Sequence, residues 1–143
     1  LGRSERDILA TQNNLATSYE RLGRLDEALP LQRDVYSGYV KFLGEHANTF
    51  IAANNLASTL QDQNHFQEAK ALYRKTMPAA RRVLGESDTF TLTLQFNYAR
   101  ALYKDPGATL GDLRESVKTF EKAGRIARRV LGSAHPELMK VEK

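Results

Sequence analysis

A segment of about 42 residues recurs along this chain, and the repeat limits the possible folds more than any other feature of the sequence. Four of its Leu-Gly dipeptides, at positions 1, 43, 84 and 131, are spaced 42, 41 and 47 residues apart. The tetrapeptide Asn-Asn-Leu-Ala at 13–16 recurs at 54–57, and more loosely as Phe-Asn-Tyr-Ala at 96–99. A fixed period of this length indicates an array in which each copy of one small unit packs on the next.

Each repeat has the pattern of two helices joined by a turn. The apolar residues of the first helix share one face, namely Leu15, Ala16, Tyr19 and Leu22. Gly23 then provides a left-handed C-terminal cap, and Asn64 holds the matching place in the second repeat. The second helices are predicted over about 25–42, 66–84 and 112–131, where apolar residues again return with helical spacing. Because no long stretch alternates with period two, the predicted fold class is all-α.

Helix starts, prolines and one insertion give local predictions. Capping boxes are predicted at Ser4 and at Asp112, each with an acidic residue three positions later. Pro78 lies deep in a predicted helix, so its missing N–H and its ring predict a kink or a break between Arg74 and Pro78. Pro30 lies about one turn after a helix start and is expected to be tolerated. The extra residues of the third repeat fall at 104–112, where turn residues indicate a longer loop.

Small residues are predicted at the points where the two helices of a repeat approach each other. The pairs are Ala16 with Ala28, Ala57 with Ala69, and Ala99 with Ser116. Side chains of this size let two helix backbones pack tightly. Bulky neighbours such as Tyr73 and Phe120 are expected to fill the space that remains.

Composition excludes several classes of protein. The 143 residues are 41% hydrophobic and 27% charged, which is a globular balance and not a disordered one. The chain has no cysteine, so it can form neither a disulfide nor a thiolate zinc site. The net charge of +4 is spread along the chain, with Arg-Arg at 81–82 and 128–129 as its densest points. A nucleic-acid-binding surface would require a denser basic stripe, so we expect no nucleic-acid partner.

The sequence also predicts where the protein is located in the cell and whether the chain is part of a longer protein. No apolar run approaches the ~20 residues that span a bilayer, so no membrane insertion is expected. The absence of cysteine, of a signal peptide and of a transmembrane segment favours a cytoplasmic protein. Because the chain starts at Leu1 without an initiator Met, we expect it to be a fragment of a longer protein.

No motif for catalysis or metal binding is visible in the sequence. None of His46, His65 and His135 has a second histidine three or four residues away. The loop at 107–111 spaces two glycines but lacks the Lys-Ser/Thr pair of a phosphate-binding loop. We therefore expect neither enzymatic activity nor a metal or other cofactor.

The repeat motifs, taken in order, resemble those of a known family. Asn-Asn-Leu-Ala, then Gly, Glu-Ala, Leu-Tyr-Arg and Arg-Val-Leu-Gly resemble the tetratricopeptide repeat (TPR), and more narrowly the 42-residue variety of kinesin light chains. The resemblance covers the chain from Leu1 to about Pro136, with Gln32, Ser116 and the third-repeat insertion as departures. It implies one domain, an α-α superhelix of three helix-turn-helix repeats at about 1–42, 43–83 and 84–130, and a partial fourth at 131–143.

The resemblance also implies a function, because the first helices of such arrays line a concave wall that binds a protein or peptide. The first helices of this chain carry a polar stripe on one face, and these residues are the predicted binding site: Asn13, Asn14, Thr17, Asn54, Asn55, Ser58, Gln61, Phe96, Asn97, Arg100, Tyr103 and Lys104. An asparagine can pair with a backbone C=O and N–H at once. Phe96 and Tyr103 would form an apolar pocket, and Arg100 with Lys104 would hold a carboxylate.

Two alternatives compete with this hypothesis. The polar stripe is equally typical of a solvated surface or of contacts between helices, and an aromatic residue at Phe96 is typical of packing. At the level of function, the array could be a structural spacer that contacts its own repeats or copies of itself. Leu138, Met139 and Val141 begin an incomplete unit, which predicts apolar surface at the C-terminal end and end-to-end self-association.

Overall fold

The computed structural model of the chain describes residues 3–132, and these form six helices. The helices are α1 (Arg3–Arg21), α2 (Leu25–Leu43), α3 (Ala47–Asp62), α4 (Phe66–Leu84), α5 (Thr89–Lys104) and α6 (Leu110–Leu131). Residues 3–132 contain no strand, so the all-α prediction and the six helices are confirmed. The short helix predicted after Pro136 lies outside the described residues.

The turns within the first two repeats follow the glycine and asparagine positions of the sequence. Gly23 has a φ of 76° and Asn64 a φ of 67°, both in the left-handed region. In each turn an N–H bonds back to a carbonyl five residues earlier, Arg24 to Tyr19 at 2.8 Å and His65 to Leu60 at 2.8 Å. These bonds satisfy carbonyls that the end of the helix leaves free, which confirms the predicted left-handed caps.

The helix starts differ from both predicted capping boxes. Ser4 lies inside α1, where its hydroxyl donates to the Glu5 carboxylate at 3.3 Å and caps nothing. The N-cap of α6 is Thr109, three residues before the predicted cap at Asp112. The Thr109 hydroxyl accepts from the Asp112 N–H at 3.0 Å, and the Asp112 carboxylate accepts from the Thr109 N–H at 3.0 Å. Asp112 is therefore the third helical residue of a box and not its cap.

The two internal prolines leave their helices continuous. Pro30 lies in α2, which begins at Leu25, and is tolerated as predicted. Pro78 lies in α4, which runs unbroken from Phe66 to Leu84, so a break does not occur, and the alternative, a kink between Arg74 and Pro78, stays a prediction. Tertiary packing outweighs the lost backbone bond, because Met77 and Ala79 on either side of the proline are both buried.

Paired small residues hold the two helices of each repeat together. All six predicted members are buried: Ala16, Ala28, Ala57, Ala69, Ala99 and Ser116. The Ser116 hydroxyl donates to the Ala99 carbonyl at 2.7 Å, so the serine keeps the close approach and satisfies its own polar group. Tyr73 is buried in the core between repeats, as predicted for a space-filling residue.

The six helices stack in chain order, so each helix packs on the one before it and the one after it. The first helices α3 and α5 also contact each other directly, and the side chains of Asn54 and Asn97 hydrogen-bond across this contact. We call the surface formed by α1, α3 and α5 the first-helix wall. The other side of the stack carries the second helices α2, α4 and α6.

The N-terminal end of the stack leaves an apolar stripe exposed. Leu15 and Leu22 lie on the predicted apolar face of α1, but they are 45% and 69% exposed. Leu56 and Tyr98 occupy the position of Leu15 in the next two repeats and are only 4% and 2% exposed. The difference arises because α3 packs on α2 and α5 packs on α4, whereas residues 3–132 place no second helix before α1.

Candidate functional site

The structure places all predicted binding residues on the three first helices. Asn13, Asn14 and Thr17 lie on α1, Asn54, Asn55, Ser58 and Gln61 on α3, and Phe96, Asn97, Arg100, Tyr103 and Lys104 on α5. None of them is buried, and the wall therefore presents polar side chains from three successive repeats to solvent.

An amide pair joins two of these helices at the middle of the wall. The Asn97 Nδ2 donates to the Asn54 Oδ1 at 2.9 Å, and both side chains are half-buried. The bond uses one donor and one acceptor, so the Asn54 amide keeps its N–H groups and the Asn97 carbonyl keeps a lone pair. Asn55 lies beside the pair and makes no side-chain hydrogen bond within residues 3–132. The contact fixes the orientation of two amides that still have unused donors and acceptors.

The part of the stripe on α1 is partly occupied by its own helix. The Thr17 hydroxyl donates to the Asn13 carbonyl at 2.9 Å, a local bond of the kind that threonine makes within helices. Asn14 is exposed. Thr17 thus has its donor engaged, whereas the Asn13 and Asn14 side chains make no hydrogen bond within the described part of the chain.

Phe96 and Tyr103, whose rings were predicted to form an apolar pocket, share a neighbour on α6. Both rings pack on Phe120 of α6, with centroids 6.2 Å and 6.1 Å away. Phe96 is half-buried by this stacking, whereas Tyr103 stays 47% exposed. The arrangement fits the packing alternative for Phe96, and it leaves the Tyr103 ring as the exposed aromatic surface beside the wall.

Arg100 and Lys104 place two positive charges beside the amide pair. Both are exposed, and neither forms an ion pair within residues 3–132. Arg100 stands one helical turn after Asn97 on α5, so the two side chains share a face. Burial raises the pKa of the Tyr73 hydroxyl. The positive charge of Arg100 lowers this pKa, and the negative charge of Asp62 raises it. The wall therefore carries two cations without a fixed counter-charge next to its hydrogen-bonding amides.

Comparison with known proteins identifies the repeat. A tetratricopeptide repeat model matches residues 7–82, and a second one matches residues 108–137. The chain belongs to the tetratricopeptide repeat family. No curated protein matched the chain.

Solved structures support the same TPR assignment. The nearly identical TPR-like repeats of a putative kinesin light chain from Podosopora anserina match with a TM-score of 0.80 and 26% identity, over 98% of this chain and 64% of that one. BtubC (BKLC) from P. vanneervenii matches with a TM-score of 0.79 and 18% identity, over 90% of this chain and 49% of that one. These TPR repeats are kinesin-light-chain-like, and the chain spans less than two thirds of the length of the proteins it matches.

A buried ion pair in the TPR array was not predicted. The Lys70 ammonium lies 2.9 Å from the Asp105 carboxylate, and their side chains are 2% and 10% exposed. The Gly107 N–H donates to the other oxygen of Asp105 at 2.8 Å, and Asp112 lies 3.8 Å from the ammonium. The Lys70 bond, and then the Gly107 bond, hold the pKa of Asp105 below its usual range. This pair fixes the inserted loop of the third repeat to the second repeat.

One sequence signal could have revealed the pair. When the repeats are aligned, Leu29 and Val117 stand at the position of Lys70, so the lysine interrupts an otherwise apolar column. It does so next to the one lengthened loop, which supplies Asp105. A charge in an apolar column indicates a buried partner, because an unpaired buried charge is costly.

Two further features of the described residues bear on other functions. Among residues 3–132 no group of three or more histidine, cysteine, aspartate or glutamate side chains is placed to hold a metal ion. In the same part of the chain, no helix combines the length and the apolar character that crossing a membrane requires. TPR repeats are in general modules of protein interaction. In this chain, the first-helix wall carries the predicted binding residues.

Proposed function

We propose that this chain binds an extended segment of another protein along the first-helix wall. The observation that carries the proposal is the Asn54–Asn97 pair, since it orients two amides with unused donors and acceptors toward the same exposed surface. An extended peptide offers one C=O and one N–H per residue, which such amides can pair with whatever the side chains are. Asn55 adds a third amide without an internal partner.

The charge on the wall gives the ligand a preferred chemistry. Arg100 and Lys104 lie next to the amides with no ion pair among residues 3–132, so an acidic side chain or a C-terminal carboxylate is the favoured group there. A charge-assisted contact contributes about 1.5–3 kcal/mol, whereas one amide pairing contributes about 1 kcal/mol. Arg100 is therefore the residue that distinguishes ligands, and the asparagines bind them without regard to sequence.

The test uses a peptide selected from a displayed random library against the full chain, then synthesised with a fluorescein label. Asn55→Ala is expected to weaken binding of the acidic peptide and of its amidated, neutral counterpart alike. Arg100→Ala is expected to weaken the acidic peptide more, and this difference shrinks at higher salt because the contact is ionic. Fluorescence anisotropy at two salt concentrations measures both effects.

Arg82→Ala on α4 is the matched control, because its guanidinium lies on the opposite side and pairs with Glu45 at 2.7 Å. The control should leave affinity unchanged. Weaker binding for Arg82→Ala, together with unchanged binding for Asn55→Ala and Arg100→Ala, would place the ligand on the second helices and contradict the proposal.

A second candidate function is that of a segment in a longer or self-associating array. It is favoured by the apolar stripe of α1 and by α6, where Leu113 is 41% and Val117 is 55% exposed. Such faces are what successive repeats bury when they stack. Sedimentation velocity over a range of concentrations separates the two candidates. Self-association that Leu15→Glu abolishes supports the array, whereas a monomer at every concentration contradicts self-stacking.

A further inference from the structure

An apolar furrow runs between the second helices α2 and α4, on the side of the stack opposite the first-helix wall. It consists of two cavities of about 190 Å³ and 410 Å³, and both are lined by Tyr36 and Lys75. Helix α3 lies at the bottom of the furrow and contributes Ala53, Leu56 and Leu60. We call this surface the α2–α4 furrow.

The charged groups around the α2–α4 furrow are unevenly paired. Arg33 lies 2.6 Å from Glu68, and Arg82 lies 2.7 Å from Glu45, so these four residues neutralise one another. Lys75, which lines both cavities, is exposed and forms no ion pair within residues 3–132. The furrow therefore combines an apolar interior with one positive charge that lacks a partner.

The next repeat contains the same furrow between α4 and α6, and there the molecule fills it with its own side chains. Tyr98 stands at the position that Leu56 holds in the α2–α4 furrow. The Tyr98 hydroxyl donates to the Glu115 carboxylate and accepts from the Arg74 guanidinium at 2.7 Å. Its ring therefore extends from α5 to the outer helices, through the space that stays empty where Leu56 replaces it.

The lysine of this second furrow is also satisfied internally. Lys122 is the counterpart of Lys75, and its ammonium lies 3.1 Å from the Glu86 carboxylate. Glu45 is the counterpart of Glu86, but it pairs with Arg82 instead. In the α2–α4 furrow, by contrast, Leu56 supplies no ring at the position of Tyr98, and no carboxylate pairs with Lys75 within residues 3–132.

We propose that the α2–α4 furrow binds a segment of a partner protein that inserts a tyrosine- or phenylalanine-sized side chain and places a carboxylate on Lys75. The internal copy shows that this chemistry fits the geometry, since a ring occupies the cavity and an acid neutralises the lysine. The surface lies on the side of the stack opposite the first-helix wall, so a ligand bound to the wall does not cover it.

Three capped peptides test the proposal on the full chain: acetyl-Tyr-Gly-Glu-amide, acetyl-Tyr-Gly-Gln-amide and acetyl-Ala-Gly-Glu-amide. Amide chemical shifts are recorded in a two-dimensional NMR titration. The first peptide should shift Ala53, Thr76 and Ala79 saturably, because these residues line the furrow. The glutamine peptide should bind roughly two- to fivefold more weakly, which is the range of an exposed ion pair. The alanine peptide should produce no saturable shift.

Two variants and one control locate the site. Lys75→Gln should reduce the affinity of the glutamate peptide to that of the glutamine peptide, and Leu56→Tyr should abolish binding because its ring fills the furrow. Lys122→Gln should change nothing, since Glu86 already occupies that lysine. If Leu56→Tyr unfolds, Lys75→Gln decides the question alone. Unchanged affinity in Lys75→Gln, or shifts confined to the first-helix wall, would overturn the proposal.

Discussion

At the scale of single residues, the Lys70–Asp105 pair is the most consequential contact outside the apolar core. Both side chains are nearly buried, and the pair joins the second repeat to the inserted loop of the third. Removing one partner of such a pair leaves a charge without compensation in a region of low dielectric. The remaining charge, rather than the lost attraction, makes up most of the cost.

Lys70→Ala is therefore expected to lower the free energy of unfolding clearly more than the removal of an exposed ion pair does. The control is Arg33→Ala, which removes an ion pair whose side chains are each about half exposed and should cost about 0–1 kcal/mol. Urea denaturation followed by circular dichroism measures both changes. Equal losses of unfolding free energy in the two variants would show that burial does not make the Lys70–Asp105 pair more stabilising than an exposed ion pair.

The pair also predicts a dependence on pH. The pKa of Asp105 is lower in the folded chain than its usual value of about 3.9, so its contribution to stability is present above about pH 4 and is lost as the pH falls through the folded pKa. In Lys70→Met the ammonium group, whose hydrogen bond is the largest cause of the lowered pKa of Asp105, is absent. The difference in stability between wild type and Lys70→Met should thus shrink from neutral pH to about pH 3. A difference that stays constant over this range would argue against the assignment.

Side-chain partners were the part of the site that sequence reasoning resolved least. The stripe on the first helices follows from helical spacing alone, since each position is set by its distance along one helix. The bond between Asn54 and Asn97 depends on how far two helices are rotated against each other, which spacing does not determine. The contact of Phe96 with Phe120 likewise depends on the orientation of α6, which the spacing of residues along α5 does not determine.

At the scale of helices, the same sequence position behaves differently along the stack. Leu15 and Leu56 correspond in the repeat, yet one is 45% and the other 4% exposed. Leu56→Ala should lower the free energy of unfolding by about 2–5 kcal/mol, as for a buried leucine, and Leu15→Ala by clearly less. Thermal and urea unfolding of the two variants provide the comparison. A similar loss for both would mean that the α1 stripe is covered in solution.

Helix bounds were predictable where the chain carries turn residues. The second helices begin and end within two residues of the predicted bounds, because glycine or asparagine at the turns leaves few alternatives. The N-cap of α6 was misplaced because Thr109 and Asp112 both suit a cap, and only the backbone geometry selects between them. Of the two effects predicted for Pro78, the break does not occur, because the burial of α4 compensates for a missing backbone bond.

At the scale of the whole molecule, the repeat determines the architecture and leaves the surfaces to vary. The small pairs recur in every repeat, so each unit closes in the same way. The residues that differ between repeats lie on the two sides of the stack: Arg100 replaces Ser58 on the first-helix wall, and Leu56 replaces Tyr98 beneath the outer furrow. Binding specificity is therefore expected at these unequal positions.

Localising a bound peptide on the full chain tests the central claim most directly. The selected peptide is synthesised with a nitroxide spin label, and the broadening of amide signals is mapped along the chain. The account predicts strong broadening on α3 and α5, centred on Asn55, Asn97 and Arg100, with the outer residues Arg33 and Lys118 unaffected. Broadening centred on the second helices, with the signals of Asn55 and Asn97 unchanged, would contradict the claim that the first-helix wall is the binding surface.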